Sequence, residues 1–205
     1  MSAASERSHR SALVLSTLLT LVGSCGACNG AQRFTAGPPP SADMIEIGDE
    51  KGARELREFY EAAGETYLGS PDRRPLGIAN LIVSMMLVVG SFMLGSRRAS
   101  TIWFVTNALA ANLVYIVAEC AFFGNRLLAQ SPLLARKLAA VAIAQAPPGG
   151  AMTPASALAD ATTAIGVGGL MVLLVAVLKF ALHAMLIAKV RSPDIAEFLA
   201  ATADE

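Results

Sequence analysis

Residues 76–118 read LGIANLIVSMMLVVGSFMLGS, then RR, then ASTIWFVTNALAANLVYIVA. An uncharged run of 21 residues is followed by two arginines and by an uncharged run of 20 residues. An α-helix rises ~1.5 Å per residue, so each run is long enough to cross the ~30 Å hydrocarbon core of a bilayer. The sequence therefore predicts a transmembrane hairpin, with spans at 76–96 and 101–123 joined by a short basic turn.

The whole chain has the composition of a membrane protein. Hydrophobic residues make up 54% of its 205 residues and charged residues 16%, whereas a soluble domain carries about 25% charged residues. The formal net charge is zero, so no basic surface for nucleic acid is predicted. We predict an all-α membrane protein with three transmembrane helices, an extracytoplasmic amphipathic helix and an interfacial helix.

The amino-terminal residues have the layout of an export signal. Arg7 and Arg10 precede an apolar run at residues 12–22, and small residues follow it. These 11 residues make only ~16 Å of helix, which is too short for a comfortable span. Residues 1–24 are therefore predicted to be an export signal rather than a transmembrane helix.

The end of this signal resembles the lipobox of bacterial lipoproteins. Residues 22–25 read Val-Gly-Ser-Cys, the apolar-small-small-cysteine pattern of that signal. The resemblance implies that lipid is attached to Cys25 and that cleavage leaves Cys25 as the mature amino terminus. The alternative is an ordinary signal peptide, or an uncleaved anchor, in which this cysteine is incidental.

The rest of the chain divides by composition into a tether, further helical regions and a tail. Residues 25–48 have the turn-forming composition of a flexible tether. Across residues 49–69 apolar positions recur at intervals of three and four, and opposite charges lie four apart, which predicts an amphipathic helix. The remaining regions are a loop at 124–160 with an interfacial helix at 132–146, a third transmembrane helix at 161–189 and a cytoplasmic tail at 190–205.

The signal and the charges near the spans predict the orientation. A signal keeps its basic end in the cytoplasm, so residues 26–75 and 124–160 are predicted to be extracytoplasmic and the basic turn of the hairpin cytoplasmic. Arg73 and Arg74 lie on the outer side against this rule, and the inverted topology follows if the signal is disregarded. The predicted location is the bacterial inner (cytoplasmic) membrane.

Two groups of polar residues fall within the predicted spans. Counting depth along the helices gathers four of them in the outer half of the hairpin: Asn80, Asn112, Tyr115 and Glu119. Lys179 and His183 form an intramembrane basic pair, four residues apart on the third span. Lys179 is expected to reach the cytoplasmic headgroups, so no contact with Glu119 is predicted. Each group has a structural interpretation, as packing of the helices, and a functional one, as a proton or ligand site.

The sequence carries no pattern typical of an enzyme. It has no phosphate-binding loop, nucleophile elbow or zinc-protease motif, and no catalytic residue, metal site or cofactor is predicted. The leading hypothesis is a non-enzymatic structural or protein-interaction component of the cell envelope. Its expected partners are the lipid bilayer and either further copies of the chain or another membrane protein. The alternative is a small oligomeric transport or ion-conducting subunit.

Overall fold

The computed structural model describes residues 3–35, 37, 51–67, 69–96, 98, 100–147 and 152–201. These residues form six α-helices and no strand, so the prediction of an all-α protein is confirmed. In chain order the helices are α1 Ala3–Thr35, α2 Ala53–Tyr67, α3 Arg73–Gly95, α4 Thr101–Gln145, α5 Pro154–Val190 and α6 Pro193–Ala200. The chain divides into a first compact unit of residues 1–36, 74–119 and 176–205, and a second unit of residues 37–73 and 120–175.

Four of the described helices are long and apolar enough to cross a membrane, which indicates a membrane protein. They are α1, α3, α4 and α5. Three spans are predicted from the sequence, and the additional candidate is α1. The helix does not end with its apolar run at Val22, because the small and polar residues that follow continue the same helix to Thr35.

The prediction of a flexible tether is wrong for its first part, because helix α1 extends into it. Residues 25–35 are helical, and residues 38–48 lie outside the described residues. The composition of residues 25–35 is typical of turns only when the segment is considered alone. In the folded chain these small residues lie against α3, and that contact requires them to be small.

A stripe of glycines on α1 packs directly on the backbone of α3. A methyl group placed on Gly23 would lie 2.8 Å from the carbonyl oxygen of Ser84, and one placed on Gly30 would lie 2.7 Å from the carbonyl oxygen of Gly77. Both distances are shorter than any ordinary contact of a methyl carbon. Close approach of backbones through small residues is a main source of helix association in lipid, where burial of apolar side chains gives little advantage.

Helix α4 is longer than the predicted second span and includes the predicted interfacial helix. It contains Pro132, which lacks the amide hydrogen that would bond to the carbonyl of Leu128. The hydroxyl of Ser131 donates to that carbonyl at 2.9 Å, so the acceptor freed by the proline is satisfied. The prediction of a loop over residues 124–131 is therefore wrong. Helix α5 likewise begins at Pro154 rather than at residue 161.

In the second unit, α2 runs antiparallel to the second half of α4. Glu58 of α2 pairs with Lys137 at 2.5 Å, and the ring of Tyr67 stacks on Phe123 with a centroid distance of 5.2 Å. Helix α2 falls within the predicted amphipathic segment, 49–69. Helices α4 and α5 meet through a cluster of buried alanines: Ala135, Ala139, Ala157 and Ala161.

The core of the first unit joins its membrane helices to the short carboxy-terminal helix α6. Ile195 and Phe198 of α6 are buried in the same apolar cluster as residues of α1, α3 and α4. The carboxylate of Asp194 accepts hydrogen bonds from Lys189 at 2.9 Å and from Ser11 at 3.1 Å. The bond from Lys189, and secondly that from Ser11, holds the pKa of Asp194 below its usual value.

The glycine contact of α1 with α3 gives a first prediction. Replacing Gly30→Ala should lower the free energy of unfolding by about 1–3 kcal/mol, because the added methyl meets backbone atoms that cannot move aside. Gly124→Ala is the matched control, since nothing lies within 4 Å of the methyl position there. This control should be neutral or stabilising by up to ~1 kcal/mol, the usual helix preference for alanine over glycine. Thermal unfolding of both variants in mild detergent measures the difference, and equal effects would contradict the contact.

Candidate functional site

The four polar residues predicted to gather in the outer half of the hairpin all belong to the first unit. Asn80, Asn112 and Tyr115 are buried, and the side chain of Glu119 is 16% exposed. Each of the four bonds to at least one residue outside the predicted group. The four residues therefore belong to two separate sets of contacts, which also include residues that were not predicted.

Helix α1 supplies the partners for three of these residues. The side-chain amide of Asn80 donates to the side-chain oxygen of Asn29 at 3.2 Å. One turn further along α1, Arg33 donates to the hydroxyl oxygen of Tyr115 at 3.3 Å. The guanidinium of Arg33 also forms an ion pair with the carboxylate of Glu119. These five residues are called the polar cluster below, and through them one end of α1 is bonded to both helices of the hairpin.

Asn112 forms a separate contact between the two helices of the hairpin. Its side-chain amide donates to the carbonyl oxygen of Val83 on α3 at 2.9 Å, and to the carbonyl oxygen of Ala108 on its own helix at 3.1 Å. The other buried asparagine, Asn80, accepts a hydrogen bond from the hydroxyl of Ser84 at 3.1 Å. In apolar surroundings such bonds contribute ~0.6 kcal/mol each on average, so they hold helices in register.

The ion pair dominates the electrostatics of the polar cluster. A single charge at the centre of a membrane helix costs about 2.5–3.5 kcal/mol on insertion scales, and pairing Arg33 with Glu119 removes the net charge. The side chains are 34% and 16% exposed, so the pair is intermediate between a surface and a buried salt bridge. The carboxylate takes its cation from α1 and not from Lys179 on α5. The arrangement is suited to fastening α1 to α4, because a ligand or proton at Glu119 would have to compete with the guanidinium.

The sequence reasoning missed Asn29 and Arg33, since it assigned both to the tether. A signal for them was present in the spacing of Gly23, Gly26, Gly30 and Arg33, which recur at intervals of three, four and three. Residues at this spacing share one face of a helix. The face consists of glycines rather than large apolar residues, so a count of hydrophobic residues does not detect it.

The predicted basic pair on α5 is divided between two environments. Lys179 is exposed, whereas His183 is only 4% exposed. The ring nitrogen Nδ1 of His183 is 2.7 Å from the carbonyl oxygen of Lys179, a contact in which Nδ1 is the donor. The buried Nε2 has no hydrogen-bond partner among the described residues. The two side chains therefore do not form a joint site.

Cys25, the candidate lipidation residue, lies well inside α1, and its side chain is exposed. Lipidation of Cys25 stays a prediction, and the helix runs on to Thr35 beyond it. Within the described ranges no three histidine, cysteine, aspartate or glutamate side chains are grouped as metal ligands would be.

The polar cluster gives a second prediction. Glu119→Gln should lower the free energy of unfolding by about 1–3 kcal/mol, between the usual effects for exposed and buried pairs, because it leaves Arg33 without a counter-charge. Removing both charges, with Arg33→Met and Glu119→Gln together, should restore part of the loss. Arg54→Gln is a suitable control because the side chain of Arg54 is 82% exposed in its pair with Glu55. Thermal unfolding in detergent is measured for these variants and for Arg33→Met alone, and strictly additive losses in the double variant would contradict the pair.

No protein-family model, no curated protein and no solved structure matches the chain.

Proposed function

We propose that this chain is a non-enzymatic component of the bacterial inner membrane that assembles with further copies of itself through α5. The observation that carries the proposal is the exposure of this helix. Between Gly166 and Ala181 no residue of α5 is buried, although the helix has the highest mean hydropathy of the four candidate spans, 2.5. Leu170 and Leu178 are 63% and 60% exposed.

The contrast with α3 supports this interpretation of α5. Helix α3 buries a residue at regular intervals along its length, among them Asn80, Leu87 and Leu94. It therefore has one face toward the protein and another toward lipid. Among the glycines of α5, Gly169 lies against α4, with its methyl position 3.2 Å from Leu127, whereas Gly166 and Gly168 remain available to a second helix. Gly166 and Gly168 have no atom within 4 Å of the position of an added methyl group.

A second copy is the partner that fits this surface best. Helices associate in lipid when small residues allow their backbones to approach, and α5 of another copy presents the same open glycines. The polar groups of the hairpin are used inside the chain, as in the pair of Arg33 with Glu119. The contact proposed between copies is therefore apolar and depends on close packing of α5.

Basic residues at three ends of the candidate spans favour an orientation with both termini in the cytoplasm. Basic residues lie at the start of α1, in the turn between α3 and α4, and at the end of α5: Arg7, Arg10, Arg98, Lys189 and Arg191. Cytoplasmic segments carry an excess of lysine and arginine, whereas Arg73 and Arg74 at the start of α3 lie on the outer side against this rule. With α1 retained as a first span, this orientation leaves the segment between α1 and α3 outside, as the sequence predicts. Retention of α1 is part of the proposal, and its packing on α3 supports it.

The alternative function, an ion-conducting or transport subunit, has less support. It is motivated by charged residues within candidate spans, above all Glu119 and Lys179. Glu119 is engaged by Arg33, and Lys179 lies on an exposed part of α5. These contacts favour a structural role for Glu119.

The proposal predicts that cysteines on α5 form crosslinks between copies. In a chain with its three cysteines replaced by serine, Val167→Cys, Leu170→Cys and Leu174→Cys should give disulfide-linked dimers in native membranes, with yields that vary around the helix. Val114→Cys on α4 is the matched control, because Val114 is more exposed, at 69%, than any of the three α5 positions and the variant should stay monomeric. Native mass spectrometry in mild detergent should show the same oligomer.

Absence of dimers at all three α5 positions, together with a monomer in native mass spectrometry, would contradict self-assembly. Crosslinks to a different protein would also contradict it and would identify a heterologous subunit instead. Retention of α1 as a first span is tested in the same sample, because the intact mass reveals whether residues 1–24 are present.

A further inference from the structure

A basic cavity opens where the start of α1 meets the end of α5. It has a volume of about 470 Å³ and is lined by six residues: Glu6, Arg7, Arg10, Ser11, Val14 and Lys189. This volume falls within the range of about 300–1,000 Å³ that is usual for small-molecule sites. All six residues belong to the first unit, and none of them is part of the polar cluster or of the exposed α5 surface.

The lining of the cavity is cationic. Three of its side chains are basic and one, Glu6, is acidic. Glu6 pairs with Arg10 at 2.5 Å, and Asp194 outside the cavity pairs with Lys189 at 2.9 Å. Arg7 is exposed and lines the cavity. Lys189 also donates to the hydroxyl oxygen of Ser11 at 3.1 Å. An arginine has five N–H donors and a lysine has three, so one donor remains on Lys189 and several remain on Arg10.

One side chain of the cavity lining is apolar. Val14 is part of the lining and is 56% exposed, and the neighbouring Leu13 is 62% exposed. From residue 12 onward α1 is continuously apolar as far as Leu15. A polar cationic rim beside an exposed apolar helix face matches a molecule with a phosphate at one end and acyl chains at the other. A free phosphate ion would gain nothing from Val14 and Leu13.

We propose that this cavity binds the phosphate headgroup of an anionic phospholipid, with Arg7, Arg10 and Lys189 as donors and the acyl chains along Leu13 and Val14. Basic cavities between membrane helices on the cytoplasmic side are suited to anionic headgroups. In the orientation proposed above the lipid belongs to the cytoplasmic leaflet. The site requires that α1 is retained, and it is independent of self-assembly through α5.

The test is competition between two lipids for the full-length protein in mild detergent, followed by native mass spectrometry. Phosphatidylglycerol and phosphatidylcholine with identical acyl chains are added in equal amounts. The wild type should keep one phosphatidylglycerol in preference to phosphatidylcholine. Arg7→Gln with Arg10→Gln should reduce that retention roughly tenfold or more, since each basic side chain near an anionic surface is worth about a factor of five. Arg7→Lys with Arg10→Lys should restore most of it.

The matched control is Arg98→Gln with Arg191→Gln. Both residues are exposed and lie outside the cavity, so the control removes the same charge and should keep at least half of the retention. No preference for phosphatidylglycerol in the wild type, or an equal loss in the control, would overturn the proposal. An intact mass that lacks residues 1–24 would overturn it as well, whether or not the protein forms oligomers.

A further arm separates a lipid from a free anion. Millimolar inorganic phosphate should leave phosphatidylglycerol bound, whereas Val14→Ser should weaken its retention by disturbing only the acyl chains. Displacement of the lipid by inorganic phosphate, with no effect of Val14→Ser, would assign the cavity to a free phosphate and overturn the lipid proposal. Thermal unfolding of each variant verifies that the fold is intact.

Discussion

The close approach of α1 and α3 is the contact on which the first unit depends. Gly23 and Gly30 face backbone atoms of α3 at distances that leave no room for a side chain. Beyond Gly23 along the same two helices, the hydroxyl oxygens of Thr20 and Ser91 lie 2.6 Å apart. Because lipid solvates apolar side chains as well as protein does, such backbone proximity and hydrogen bonding provide much of the free energy that holds membrane helices together.

The position of the ion pair follows from this contact. Once α1 lies antiparallel to α3, its last turns reach the end of the hairpin where α4 presents Tyr115 and Glu119. Arg33 meets both of them. An unpaired carboxylate within a membrane span is unfavourable. Because Arg33 of α1 supplies the counter-charge, Glu119 can lie in a span without a net charge. The same glycine contact thus explains the location of the charged pair, since Gly77 of α3 lies against both Gly30 and Arg33.

Helix α5 shows that similar residues have different consequences in different surroundings. Gly166 and Gly168 lie in a candidate span, as the glycines of α1 do, yet the space around them is open. On α1 the glycines are used within the chain, whereas these two remain free for another helix. The assignment of self-assembly to α5 and of intrachain packing to α1 rests on this difference. The two charged residues also differ in their surroundings, because Glu119 is paired with Arg33 inside the chain whereas Lys179 is exposed.

By itself the sequence determined the all-α class, the hairpin with its break between Gly95 and Thr101, and the presence of polar residues inside the spans, because long uncharged runs report directly on transfer into lipid. It did not determine the lengths of α1 and α4. The small residues after Val22 and the proline at 132 interrupt the pattern of a long helix, and the groups that accommodate them are α3 for α1 and the hydroxyl of Ser131 for α4. The partner of Glu119 was likewise decided only by the tertiary structure, since Arg33 lies 86 residues away in the chain and becomes its neighbour only after α1 has packed.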